Sequence, residues 1–99
     1  MKSLSEIKNI LHNQKPYLHA RYGIIDIKVF GSYVRNEQGQ DSDIDILVDF
    51  GGTPTIDLLD LVNLEQYLSD LLGIEADVAI KSSLGKRIGQ RILSEAVPV

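Results

Sequence analysis

Two aspartates one residue apart, Asp43 and Asp45, have the residue type and spacing that most clearly suggest chemistry in this chain. Residues 43–50 alternate polar and apolar side chains over their first half, which is typical of a β-strand. Residues i and i+2 of a strand share a face, so both carboxylates point the same way from backbone positions about 7 Å apart. Side chains with that spacing can converge on two metal ions, and oxygen-only ligands favour Mg²⁺. We therefore expect both aspartates to be metal ligands.

A glycine-serine pair, Gly31-Ser32, follows residues 24–30, a β-branched run that predicts another strand. Glycine lets the backbone approach a phosphate without a Cβ in the way, and Ser32 adds a hydroxyl donor to the exposed N–H groups. A triphosphate would be held at one end by this turn and at the other by the metal ions. Arg35, in the turn after Ser32, is a further candidate for a phosphate contact.

Asp77 is the third candidate for a catalytic carboxylate. It lies between Ala76 and Val78 in residues 75–80, which predict a third strand. A carboxylate without a partner is costly inside such a strand. A third metal ligand, which can also orient or deprotonate an attacking hydroxyl, is the simplest explanation for its presence.

Helices are predicted around these strands. Ser3 and Glu6 form a capping-box pattern that opens a helix extending to about Ala20, and Pro16 is expected to kink or break it. Residues 57–72 form a leucine-rich helix closed by Gly73, and its apolar face is wide enough to suggest an interface.

The last predicted helix covers residues 86–96, with Ile88, Ile92 and Leu93 expected to face inward. The predicted order of elements is then α-β-β-α-β-α. This order indicates an α/β (α+β) fold in which helices pack against a small mixed β-sheet.

The bulk properties limit the classes of function. With 99 residues, the chain is expected to form a single domain over residues 1–99. It has no cysteine, which excludes disulfides, thiolate metal sites and cysteine nucleophiles. The net charge of −4 argues against nucleic acid as a direct partner, because such partners require clustered cations. No apolar run approaches the roughly 20 residues of a membrane span and no secretory leader is visible, so a cytoplasmic protein is expected.

Two segments carry a resemblance to a known family: VFGSYVR at residues 29–35 and SDIDILV at residues 42–48. They resemble the DNA polymerase β-type nucleotidyltransferase superfamily, and within it the minimal nucleotidyltransferases (MNT proteins). The resemblance implies the nucleotidyltransferase fold. It also implies that Gly31 and Ser32 form the phosphate-binding turn, that Asp43 and Asp45 are the metal pair and that Asp77 is the third carboxylate.

The same resemblance implies a reaction and a partner. MNT proteins use ATP and two Mg²⁺ ions, and they pair with HEPN-family proteins as toxin–antitoxin modules. Some antitoxins of this kind transfer AMP to a tyrosine of the HEPN ribonuclease and thereby silence it. The acceptor is expected on a separate chain, which makes a hetero-oligomer. The alternative is a binding module that neutralises a HEPN partner by occlusion, without catalysis.

Overall fold

The structure is a computed structural model that describes residues 2–99. Four α-helices, four β-strands and one short 3₁₀ turn are present in this part of the chain. The helices are α1 (Leu4–Tyr22), α2 (Ser32–Arg35), α3 (Leu58–Leu72) and α4 (Lys86–Glu95), and the 3₁₀ turn covers Lys81–Ser83. The strands are β1 (Asp26–Phe30), β2 (Ile44–Asp49), β3 (Ala76–Ile80) and β4 (Val97–Pro98).

The four strands form one mixed sheet in the order β3-β2-β1-β4. Strand β2 runs antiparallel to β1 and parallel to β3, while β4 runs antiparallel to β1. This arrangement confirms the predicted mixed sheet with packed helices. The edge strand β4 was not predicted, because two residues, one of them Pro98, are too few to show any alternation.

One face of the sheet packs against α1 and α3 and forms the core. Alternate residues of β1 and β2 point to this face, where Ile44 and Ile46 are fully buried. Burying each large aliphatic side chain contributes about 1.5–3 kcal/mol relative to leaving it exposed. The fully buried side chains of this layer include Ile7, Leu11, Leu18, Ile27, Val29, Ile44, Ile46, Val48, Leu64, Leu68 and Leu72.

Helix α1 begins at the predicted capping box, extends two residues beyond the predicted end near Ala20 and does not break where expected. Ser3 and Glu6 form the capping box, and Gly23 closes the helix in the left-handed conformation at φ 81°. Pro16 lies inside the helix, which continues to Tyr22. A proline here removes one backbone hydrogen bond, and the burial of Leu11 and Leu18 on either side of it offsets that cost.

Helix α3 leaves apolar side chains in solvent, as the width of its apolar face predicted. Leu58, Leu59 and Val62 are 76%, 68% and 52% exposed, respectively, near its first turns. The core needs only one face of α3. These three side chains are therefore available to a partner.

The prediction that Ile88, Ile92 and Leu93 of α4 face inward was wrong for Ile88 and Leu93, whereas Ile92 is half-buried. Ile88 and Leu93 are exposed, and the helix residue that is buried is Gly89. Helix α4 borders the sheet face opposite the core, where Leu93 lines a small cavity with Lys28 and Leu47. Besides the buried Leu47, this part of the face carries the charged residues Asp26, Lys28 and Asp49, so only part of the α4 surface meets apolar side chains. None of the helices in residues 2–99 has the length and apolarity needed to cross a membrane.

Candidate functional site

The strand register places two of the predicted aspartates side by side. Asp45 of β2 is the direct partner of Asp77 in β3 and of Phe30 in β1. Neighbouring strands lie about 4.8 Å apart, and paired residues point to the same face. Asp43 precedes β2 by one residue and therefore projects to the same side as Asp45. The three aspartates thus share one end of the sheet face opposite the core.

The three carboxylates differ in burial. Asp43 and Asp77 are exposed, whereas Asp45 is half-buried. The expectation that Asp77 sits in a costly buried position was wrong, because β3 is an edge strand and the side chain faces solvent. Its candidacy therefore depends on its register with Asp45 rather than on burial.

The electrostatics of Asp45 are those of a crowded anion. Burial raises the pKa of its carboxyl, and the negative charges of Asp77 and Asp43 raise it further, while Arg35 opposes them. A divalent cation would relieve this repulsion, and the all-oxygen donor set suits a hard ion. Within residues 2–99, however, no three His, Asp or Glu side chains are already gathered as a metal-binding cluster. The aspartates share a face without being drawn together.

The Gly31 turn joins β1 to α2 and lies directly against Asp45. Gly31 has φ 83° and ψ −152°, a conformation essentially restricted to glycine. A Cβ at this position would overlap Oδ2 of Asp45 and lie 3.0 Å from its Cγ. Glycine is therefore required both by the backbone and by the carboxylate beside it. Ser32 follows as the first, half-buried residue of α2.

The structure adds one residue to the site that the sequence did not single out. The Glu95 carboxylate accepts the Gly31 N–H through Oε2 at 3.1 Å and Nη1 of Arg35 through Oε1 at 2.8 Å. Arg35 also donates Nε–H to Oε1 of Glu37 at 2.8 Å. The hydrogen bond from Arg35, together with that from Gly31, lowers the pKa of Glu95. Glu95 is 64 residues from Gly31 in sequence, so no local pattern could have revealed the contact.

A cavity of about 490 Å³ opens beside Asp43. Its lining includes Asp43, Ser42, Tyr33 and Glu75. A larger cavity, of about 750 Å³, lies at the far end of β2 around Asp49. That end is four residues, or roughly 13 Å, from Asp45, so the larger cavity is separate from the aspartate cluster.

Asp49 belongs to a different set of contacts from the aspartate cluster. Its carboxylate accepts the Gly51 N–H at 2.8 Å and lies 3.4 Å from Nζ of Lys81. These partners, the Gly51 N–H foremost, lower the pKa of Asp49. The surroundings of β2 therefore act in opposite directions at its two ends. They destabilise the charged form of Asp45 and stabilise the charged form of Asp49.

Known proteins are similar to this chain over almost its whole length. The model of the nucleotidyltransferase domain family matches residues 5–99. A protein adenylyltransferase, MntA, from Thermococcus cleftensis is 48% identical over 99 residues, which cover 100% of this chain and 98% of the relative.

Two solved structures share the fold. One, described as a candidate minimal nucleotidyltransferase, superposes with a TM-score of 0.72 at 36% identity, covering 96% of this chain and 90% of the other. The second is a toxin–antitoxin structure with AMP-PNP, with a TM-score of 0.76 at 25% identity, covering 92% of this chain and 70% of the other.

Proposed function

The chain belongs to the nucleotidyltransferase domain family, and we propose that it transfers AMP from ATP to a tyrosine of a HEPN-type ribonuclease toxin, acting as its antitoxin. The observation that carries the proposal is the pairing of Asp45 with Asp77 across β2 and β3, with Asp43 two residues earlier and the Gly31 turn against Asp45. Carboxylates beside a phosphate-binding turn are the parts that nucleotidyl transfer requires.

Asp43, Asp45 and Asp77 would hold two Mg²⁺ ions. When bound, the ions supply positive charge that neutralises the aspartates and polarises the phosphates of the substrate. The donor chemistry fits, because all three side chains offer oxygen. The pKa of Asp45 is raised first by burial and then by the negative charges of Asp77 and Asp43, which a bound cation would offset.

The other residues of the chain have distinct roles in the proposed reaction. The Gly31 N–H, the Ser32 hydroxyl and the Arg35 guanidinium bind phosphate oxygens of ATP. Asp77 accepts the proton of the acceptor hydroxyl, and the resulting phenolate oxygen bonds to the α-phosphorus. The bond from that phosphorus to the bridging oxygen of the β-phosphate breaks, and pyrophosphate leaves. The products are an adenylated tyrosine and pyrophosphate.

The acceptor protein is proposed to be a HEPN toxin because of the MNT-like motifs and the toxin–antitoxin structure that shares this fold. Leu58, Leu59 and Val62 provide exposed apolar surface to which such a protein could bind. An adenylate on a tyrosine near a ribonuclease site adds negative charge and bulk where RNA phosphates must bind. Transfer would therefore silence the toxin.

Neutralisation by occlusion is the second candidate function. The exposed side chains of α3 favour it, since a stable complex could block the toxin without chemistry. The two functions differ in one observable. Transfer adds the mass of an adenylate to the partner, whereas occlusion leaves the mass of the partner unchanged.

The metal role predicts that nucleotide binding depends on Mg²⁺. We expect the chain to bind ATP at least about tenfold more tightly with Mg²⁺ than with EDTA, because the ions relieve repulsion between phosphates and aspartates. Isothermal titration calorimetry measures both affinities. The Asp43→Asn, Asp45→Asn double variant is the control and should lose most of the difference. Equal ATP affinity of the wild-type chain with and without Mg²⁺ would contradict the metal assignment.

A further inference from the structure

Glu95 bridges two groups on opposite sides of its carboxylate. One oxygen accepts the Gly31 N–H at 3.1 Å, and the other accepts the Arg35 guanidinium at 2.8 Å. The side chain is 26% exposed, so it is partly covered yet still reaches solvent. Both partners are N–H donors of the kind that bind phosphate oxygens.

A carboxylate and a phosphate present similar oxygens to such donors. We propose that Glu95 competes with the triphosphate for the Gly31 turn, and that its carboxylate must leave before ATP can bind there. This inference rests on the proposed function, in which Gly31 and Arg35 bind phosphate. Glu95 thereby sets the nucleotide affinity of the site without taking part in the chemistry.

The charges around the turn favour competition over a shared arrangement. The Asp45 carboxylate lies against Gly31, whose N–H donates to Glu95, so two carboxylates already meet at this turn. A triphosphate placed beside Glu95 and Asp45 would add further negative charge to this group. Arg35 is the cation that lies closest to Glu95. Its single charge cannot neutralise both the Glu95 carboxylate and a triphosphate. Departure of the carboxylate removes one source of repulsion and frees both donors.

The surroundings allow Glu95 to leave while the turn stays in place. Arg35 contacts Glu37 only through Nε in an exposed ion pair, so its Nη1 becomes available when Glu95 moves away. Glu95 is the last residue of α4, and β4 begins two residues later, paired with β1 at Val97 and Pro98. Rotation of the side chain therefore requires no change in the sheet.

Competition has a consequence for ligand choice. A ligand displaces Glu95 only if its contacts exceed those that the carboxylate already makes. A triphosphate with bound Mg²⁺ meets the turn and the aspartates together, whereas a single phosphate group meets the turn alone. The bridge thus favours nucleoside triphosphates over inorganic phosphate.

The test compares Mg²⁺-ATP affinity in the wild type, Glu95→Gln and Glu37→Gln by calorimetry. Glutamine keeps the shape of Glu95 but removes its charge, so Glu95→Gln is expected to bind ATP about fivefold more tightly. Glu37→Gln is the matched control, because Glu37 contacts Arg35 but not Gly31, and its ATP affinity should stay within about twofold of wild type.

Unchanged or weaker ATP binding by Glu95→Gln overturns the inference, and weaker binding would make Glu95 a residue that positions Arg35 for the nucleotide. If the wild type binds ATP and transfers AMP in either case, the proposed function survives. Absence of ATP binding in all three proteins overturns both proposals.

The Gly31 amide resonance, measured by NMR without nucleotide, should also move in Glu95→Gln. A resonance that does not move shows that the bridge is absent in solution and overturns the inference.

Discussion

Replacement of Asp45 by asparagine is expected to lower the rate of AMP transfer by on the order of a thousandfold while the chain stays folded. Asp45 is the half-buried member of the aspartate cluster, in register with Asp77 and in contact with the Gly31 turn. Asparagine keeps the volume of the side chain but removes the charge that would bind a metal ion. The measurement is single-turnover transfer from labelled ATP, with folding checked by circular dichroism.

The same substitution has a predicted sign for stability. The pKa of Asp45 is raised in the folded chain. Its contribution to the free energy of unfolding is therefore present below the ordinary aspartate pKa and is lost as the pH rises through the raised value. At neutral pH without metal, the Asn variant should therefore melt at or above the wild-type temperature. The difference should close as the pH falls towards the ordinary value.

Asp49→Asn is the matched control on the same strand and face. The pKa of Asp49 is lowered by the Gly51 N–H and Lys81. Its contribution to the free energy of unfolding is therefore present above the ordinary aspartate pKa and is lost as the pH falls through the lowered value. This variant should melt below wild type at neutral pH and keep its transfer rate within about threefold. Near-normal transfer by Asp45→Asn, or equal losses in both variants, would refute the placement of the site.

Replacement of Gly31 by alanine is expected to reduce transfer by at least about a hundredfold and to destabilise the chain by about 1–3 kcal/mol. Alanine is strained at φ 83° and ψ −152°, and its Cβ would overlap Oδ2 of Asp45. The carboxylate must move away from the turn or the turn must open, and either change separates the phosphate-binding group from the metal-binding group. Thermal denaturation and single-turnover transfer measure the two effects.

Gly52→Ala is the control for a loss of glycine in general. A Cβ at Gly52 meets no atom within 4 Å, and its backbone does not have positive φ. We expect this variant to match wild type in both melting temperature and transfer. If Gly31→Ala also matches wild type, the close approach of the turn to Asp45 is not required for the reaction.

Local sequence patterns predicted the elements that carry the site. Alternation in residues 43–50 identified β2 and the shared orientation of Asp43 and Asp45, because strand periodicity depends only on neighbouring residues. Ser3 and Gly73, which the sequence placed at the start of α1 and at the end of α3, cap those helices in the structure. These signals depend only on neighbouring residues, so they can be identified from the sequence without knowledge of the tertiary structure.

Features that depend on how the elements pack could not be predicted in this way. The exposure of Asp77 follows from the position of β3 at the edge of the sheet, and the exposure of Ile88 follows from how α4 lies relative to the sheet. Glu95 reaches Gly31 because the end of α4 lies beside the β1–α2 turn. Contacts between residues so far apart in sequence leave no trace in its periodicity.

The most direct test of the proposed function is the intact mass of a HEPN partner protein after incubation with this chain, ATP and Mg²⁺. We predict a gain of one or more adenylate masses, located on a tyrosine by peptide mapping, and no gain with the Asp43→Asn, Asp45→Asn double variant. Protection of cells from the toxin should be lost in that variant as well. An unchanged partner mass with the wild-type chain, together with equal protection by the double variant, would show that occlusion alone neutralises the toxin and would contradict the proposed transfer.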